Sequence, residues 1–163
     1  MRAVLRVAVA VPLAVLLAAC GDDEFLPDAH VRADAGLDAA PLPVELGTGA
    51  LFFEPLVDGT TVPIIMGPQG GYHVWAAIRV GDGALDQVTV DLRGSFEDDG
   101  SPVGMSSRFA VVLLPSGAVR EAAGLRQFIE DPAVAHGRRI AIHIDLEAAD
   151  GRRGADDMVV VAE

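Results

Sequence analysis

Gly67-Pro68-Gln69-Gly70-Gly71-Tyr72-His73-Val74-Trp75-Ala76-Ala77-Ile78-Arg79-Val80 is the stretch on which the fold turns. It holds the chain's only Tyr and only Trp, and it runs from a glycine-rich turn into a strand. The strand reading rests on period two. Tyr72, Val74, Ala76, Ile78 and Val80 fall on one face, apolar enough to be core. His73, Trp75, Ala77 and Arg79 fall on the other. Read chemically, His73, Trp75 and Arg79 form a candidate binding stripe beside a flexible turn. Read structurally, Trp75 packs against a neighbouring sheet or under a loop, with Arg79 on the surface. The structural reading is the expectation, because buried tryptophans anchor β-sandwich cores. Loss of His73 is then expected to cost little.

Composition narrows the function classes. The chain has 163 residues, with 12 arginines, no lysine and 24 acidic residues, for a formal net charge of -12. That balance excludes a general electrostatic attraction to nucleic acid or to anionic lipid. Aromatics make up 5% of the residues. The core must therefore rest on Val, Leu, Ile and Ala.

Residues 1–19 read as a targeting segment. Arg2 and Arg6 form a positive start, and Val7–Leu16 is an apolar run interrupted by Pro12. Leu17-Ala18-Ala19-Cys20 then resembles the lipobox of bacterial lipoproteins. The resemblance implies cleavage before Cys20, a diacylglycerol on its sulfur and an acylated amino group, giving a membrane anchor; the alternative is a plain secretory signal or an uncleaved anchor helix, for which the apolar stretch is short. Several acyl chains hold a protein stably where one holds it marginally, at about 0.8 kcal/mol per buried CH₂. Gly21 follows the cysteine in place of an Asp. Under the lipoprotein sorting rule this favours the outer membrane over the inner. Cys20 is the only cysteine, so no disulfide is expected. Without Arg2 and Arg6, ten arginines face 24 acids, and the mature chain stands at -14.

Residues 20–43 read as the lipidated cysteine and a disordered acidic tether. Asp22, Asp23, Glu24, Asp28, Asp34 and Asp38 alternate there with Ala and Pro. From Val44 to Glu163 short apolar runs alternate with turn signals. Strands are expected at Leu51–Glu54, Thr61–Met66, Tyr72–Val80, Asp86–Arg93, Arg108–Leu114, Arg139–Glu147 and Met158–Val161. Pro63 marks a sheet edge or bulge. Arg108–Leu114 is apolar on both faces and reads as a central strand. Ala118–Glu121 and Leu125–Ile129 read as weaker strands, with a short helix over Val119–Ile129 as the alternative.

This pattern predicts an all-β domain, an antiparallel β-sandwich. It resembles the immunoglobulin-like and fibronectin type III-like domains of bacterial surface proteins, without the cysteine pair of antibody domains. The Gly67–Trp75 stretch is also similar to one in uncharacterised bacterial envelope lipoproteins, a resemblance that implies no activity.

No catalytic site is expected. Ser101, Ser106, Ser107 and Ser116 lie in loops, none in a Gly-x-Ser-x-Gly elbow. The glycines at 67, 70 and 71 precede a strand, so they form no phosphate-binding loop. No cofactor is expected. Two metal readings arise. His73 and His143, with Asp91, Asp145 or Glu147, would suit copper or zinc if their strands were neighbours. Asp145, Glu147, Asp150, Asp156 and Asp157, or Glu97, Asp98 and Asp99, would suit calcium at a loop end; the alternative is a solvated acidic rim. Two functions therefore stand side by side. One is a non-catalytic, lipid-anchored binding or structural module with a protein or glycan partner in the envelope. The other is a metal-binding envelope protein.

Overall fold

A computed structural model of the protein describes residues 40–163. The expected signal segment, Cys20 and the expected tether up to residue 39 lie outside the described residues. The strands, in chain order, are β1 (Val44–Thr48), β2 (Glu54–Pro55), β3 (Thr60–Val62), β4 (Ile65–Met66), β5 (Tyr72–Val80), β6 (Gln87–Phe96), β7 (Ser107–Val112), β8 (Leu114–Ser116), β9 (Val119–Ile129), β10 (Arg139–Ala148) and β11 (Arg153–Ala162). One helical turn, α1 (Pro132–Ala135), precedes β10, capped by the Asp131 carboxylate on the amides of Ala133 and Val134.

The strands form two sheets. The first runs β2-β1-β5-β9-β8, with β4 also on β5. The second runs β3-β11-β10-β6-β7. All pairings are antiparallel except β11 with β3. The chain is thus an all-β sandwich. Its main strands, β1-β5-β9-β8 facing β11-β10-β6-β7, follow the order A-B-E-D facing G-F-C-C′ of immunoglobulin-type sandwiches.

The inner faces are the apolar ones that alternation selects. Val74, Ala76, Ile78 and Val80 of β5 meet Val88, Val90 and Leu92 of β6, and Ile140, Ile142, Ile144 and Leu146 of β10. These positions are at most 2% exposed. One polar side chain, Gln127 of β9, sits among them; Gly94 of β6 makes its room, since a Cβ there would lie 2.9 Å from the Gln127 Cδ.

One open side of the sandwich is closed by the start of the domain. Leu42 is buried, and its amide donates to the Arg153 carbonyl at 2.8 Å. The Asp156 carboxylate reaches across from β11 to accept the Leu46 amide at 2.7 Å. Among the described residues Leu42 is the first whose side chain is buried.

Four local expectations are corrected. Arg108–Leu114 is not central: β7 pairs with β6 alone and forms an edge. Its apolar character on both faces reflects a change of sheet, with β7 in the second sheet, β8 in the first and the buried Leu113 as the crossing point. Thr61–Met66 is not one strand, because Pro63 splits it between β3 and β4 in opposite sheets. Leu51–Glu54 is largely a loop whose Leu51 and Phe52 are exposed while Phe53 is buried. Gly124 does not divide Val119–Ile129. Its φ of 75° absorbs a bulge opposite Ala76–Ile78, and β9 stays continuous.

Candidate binding face

The outer face of the first sheet carries the residues that the period-two reading set opposite the core. In register, His73 pairs with Phe128, Trp75 with Arg126, and Arg79 with Glu121 and Glu45. The bulge and the loop after β1 shape the middle of this face. The Gly124 amide donates to the Gly49 carbonyl at 2.9 Å, so the loop crosses β5 from β1 to β9. It passes over Ala77, which is fully buried although it points outward. The loop lays the Phe53 ring against Gly47, and the Arg79 guanidinium stacks on that ring at 4.1 Å.

The expected packing of Trp75 is partly overturned here. The ring lies on the outer face and is half-buried, whereas His73 beside it is only 4% exposed. The two rings meet edge to face, with centroids 4.3 Å apart. The turn between β4 and β5 covers His73, because Gly67 stands beside the imidazole and the Gly67 amide closes the turn on the Gly71 carbonyl at 2.7 Å. His73 is thus the covered member of the pair.

Electrostatics divide the face in two. Arg79 donates to Glu121 at 2.8 Å and to Glu45 at 2.9 Å, and these bonds raise its pKa. Its charge is neutralised. Arg126 is different. Arg79, Arg93, Arg108, Arg120, Arg138, Arg139, Arg152 and Arg153 each lie within 4.0 Å of a carboxylate. Among the described residues Arg126 is the one arginine with no such partner. It is exposed, with its guanidinium 5.7 Å from the Trp75 ring centroid. Arg126 and Phe128 together form a ridge. On one side is a pocket of ≈ 380 Å³ walled by Gly67, Pro68, Gln69, Gly71 and His73. On the other is a recess of ≈ 270 Å³ walled by Ser107, Phe109, Gly124 and Leu125.

The His73 imidazole has its pKa lowered from the ordinary 6.5, first by burial and then by the positive charge of Arg126. The consequence for stability has a definite sign. Above pH 6.5 the ring is neutral in both folded and unfolded chains. Below it the unfolded chain takes up the proton first, so stability falls until the folded ring also titrates. The parent should therefore lose stability as the pH falls below 6.5, and His73→Gln should lose less. Denaturant melts at a series of pH values measure this. Parallel pH profiles for the two proteins would show that His73 is not held neutral by the fold.

The second candidate, His143, lies on the outer face of the other sheet. It pairs across strands with Asp157 and Arg93. Its Nδ1 is 2.5 Å from Asp157 and its Nε2 3.1 Å from Asp145. Arg93 binds Asp145 at 3.0 Å, and Glu147 receives Arg108 at 3.1 Å and Arg153 at 3.3 Å. The hydrogen bond from Arg153 is the main reason that the Glu147 pKa is lowered. This face is a self-neutralising ladder of charges.

His73 and His143 therefore do not come together. They project from opposite outer faces, with the whole core between them, so the copper or zinc site built on both cannot form. The acidic loops are committed as well. Glu97 binds Arg139, Asp98 and Asp99 bind Arg138, and Asp150 shares Arg152 with Asp82. Among the described residues no group of three or more His, Cys, Asp or Glu is arranged to hold a metal ion.

Arg126 and Phe128 escaped the sequence reading. Their alternation along β9 was visible, but their place beside His73 and Trp75 depends on β9 pairing with β5. No protein-family model matches this chain, and no curated protein matches it.

Proposed function

We propose that the chain is a non-catalytic protein of the cell envelope, anchored by lipid on Cys20, whose sandwich serves as a binding module. The outer membrane is the proposed location. The binding surface is the corner of the first sheet around Trp75, Arg126 and Phe128, and the partner is an envelope protein or glycan. One observation carries the reading: among the described residues of a strongly acidic chain, Arg126 is the one arginine with no carboxylate within 4.0 Å, and it stands beside a half-exposed tryptophan. Aromatic and arginine side chains are the types enriched where interfaces concentrate their binding energy. Arg79, the charged end of the stripe expected from the sequence, is satisfied by Glu45 and Glu121 and contributes rigidity to the face.

Two measurements test this reading. Cys20→Ser should leave the membrane fraction or remain unprocessed; a variant that stays detergent-extractable at mature size contradicts the anchor. For the binding face, a photo-crosslinking phenylalanine analogue is placed at Phe128 in living cells, and a control analogue at the exposed Val112 of β7. Discrete adducts from position 128, lost on Arg126→Glu, are expected. Equal labelling from both positions, or none from 128, argues against the assignment.

A further inference from the structure

We infer that the pocket between the Gly67–Gly71 turn and the Arg126–Phe128 ridge is an oxyanion site, taking a carboxylate or phosphate group. The inference rests on the reading of this face as a binding surface and gives the ligand its chemistry.

Two unmet requirements stand at this pocket, one lining it and one buried in its wall. The first is the Arg126 guanidinium, which has five N–H donors and no carboxylate among the described residues. A lone exposed arginine is unremarkable by itself. Here all eight other described arginines have found acids in a domain rich in them, and the exception lines a pocket. The second is the Nε2 of His73, which is buried and has no hydrogen-bond partner. Buried polar atoms are nearly always paired, and an orphan points to a group that is missing. The two side chains are diagonal neighbours across the β5–β9 pair, on one face and in one pocket wall.

An oxyanion meets both needs at once. One oxygen accepts from the guanidinium, where charge assistance makes the bond short and strong. The other accepts from the imidazole, which is neutral at pH 7 and carries a single N–H. Rotating the ring half a turn about χ2 exchanges Nε2 with Cε1. Cε1 lies 3.8 Å from where a Gly67 Cβ would stand, on the pocket wall. The rotation thus sets Nε2 beside Gly67, a residue of the pocket wall. Gly70 and Gly71 have open space where a Cβ would project, so the mouth beside the turn is clear. A metal ion does not suit this set, because the guanidinium would repel it. A purely apolar ligand would leave both donors unpaired.

The chain carries its own reporter. Trp75 is the only tryptophan, and its ring lies 5.7 Å from the Arg126 guanidinium. The full, processed chain in detergent is titrated at pH 7 and constant ionic strength with sodium phosphate, sodium acetate and, as control, sodium chloride. A saturable change in Trp75 emission is expected with an oxyanion and not with chloride. A response to phosphate alone assigns a phosphate-bearing ligand, and a response to acetate a carboxylate-bearing one. Arg126→Gln should weaken the response by on the order of tenfold, the scale of a lost charge-assisted bond. Arg153→Gln, on the opposite face, should leave it unchanged. An identical response to chloride, or one untouched by Arg126→Gln, overturns the inference. So does the absence of any saturable change. Crosslinking at Phe128 without an anion response would overturn this inference and leave the binding face standing; loss of both would remove the face itself.

Discussion

Ile142→Ala is expected to be the most damaging single truncation in the domain. Ile142 is fully buried at the centre of β10, where it pairs with Gly94 of β6 on one side and Met158 of β11 on the other. The side chain has no route to solvent, and three strands hold the backbone around it, so the cavity cannot collapse. Ile→Ala at such a position costs about 2–5 kcal/mol. The total stability of a domain is roughly 5–15 kcal/mol. For a domain of this size the loss corresponds to a fall in melting temperature of roughly 10 °C or more. Thermal unfolding followed by circular dichroism measures it. A melting temperature within about 2 °C of the parent would mean that β10 is not the centre of the second sheet.

The second large effect is expected at the seam between the sheets. A Cβ on Gly154 would lie 2.5 Å from the Leu42 carbonyl oxygen and 2.5 Å from a methyl of Val44. Neither can retreat cheaply. The Leu42 amide is bonded to the Arg153 carbonyl, and Val44 opens a strand in register with Val80. Gly154→Ala must therefore push the start of β1 outward and uncover Leu42 and Leu46, which are 4% and 5% exposed. Forcing atoms into a filled core costs about 1–3 kcal/mol. Chemical denaturation should show a lower midpoint of that order, with faster amide exchange at Leu46. An unchanged midpoint would place the seam elsewhere.

The elements that were legible in the sequence are those whose alternation is strict and whose faces differ. β5, β6 and β10 present Val, Ile and Leu on one side and polar groups on the other, and their inward sets are as the period predicts. The failures have separate physical causes. Arg108–Leu114 is apolar on both sides because the chain changes sheet at Leu113, which a periodicity cannot distinguish from a buried central strand. Phe53 is buried by a loop that crosses Ala77, and no local signal marks that crossing. Ala118–Glu121 and Leu125–Ile129 read as two weak strands, yet Gly124 at φ 75° absorbs a bulge and β9 runs through it.

The site was half legible. His73 and Trp75 are assigned to the outer face by the same count that assigns Val74 to the core. Their relative burial was not, since it depends on the turn above His73. Arg126 could not be found from sequence, because its neighbours are set by strand order and its distinction is the absence of an acid. The pairing of His73 with His143 failed for the same reason, as strand order puts them in different sheets. The proposed lipid anchor rests on the sequence Leu17–Cys20, which lies outside the described residues.

A half-exposed, locally positive aromatic patch around Trp75 thus sits on a domain that is otherwise acidic. Collisional quenching of Trp75 in the native full chain tests it most directly, using iodide and caesium as probes of opposite charge. The chain's net charge of -12 would favour caesium everywhere on an evenly charged surface. With Arg126 beside the ring, iodide should quench Trp75 more strongly than caesium, and Arg126→Glu should reverse the order. Stronger quenching by caesium in the parent, or a ring that neither ion reaches, would contradict the account.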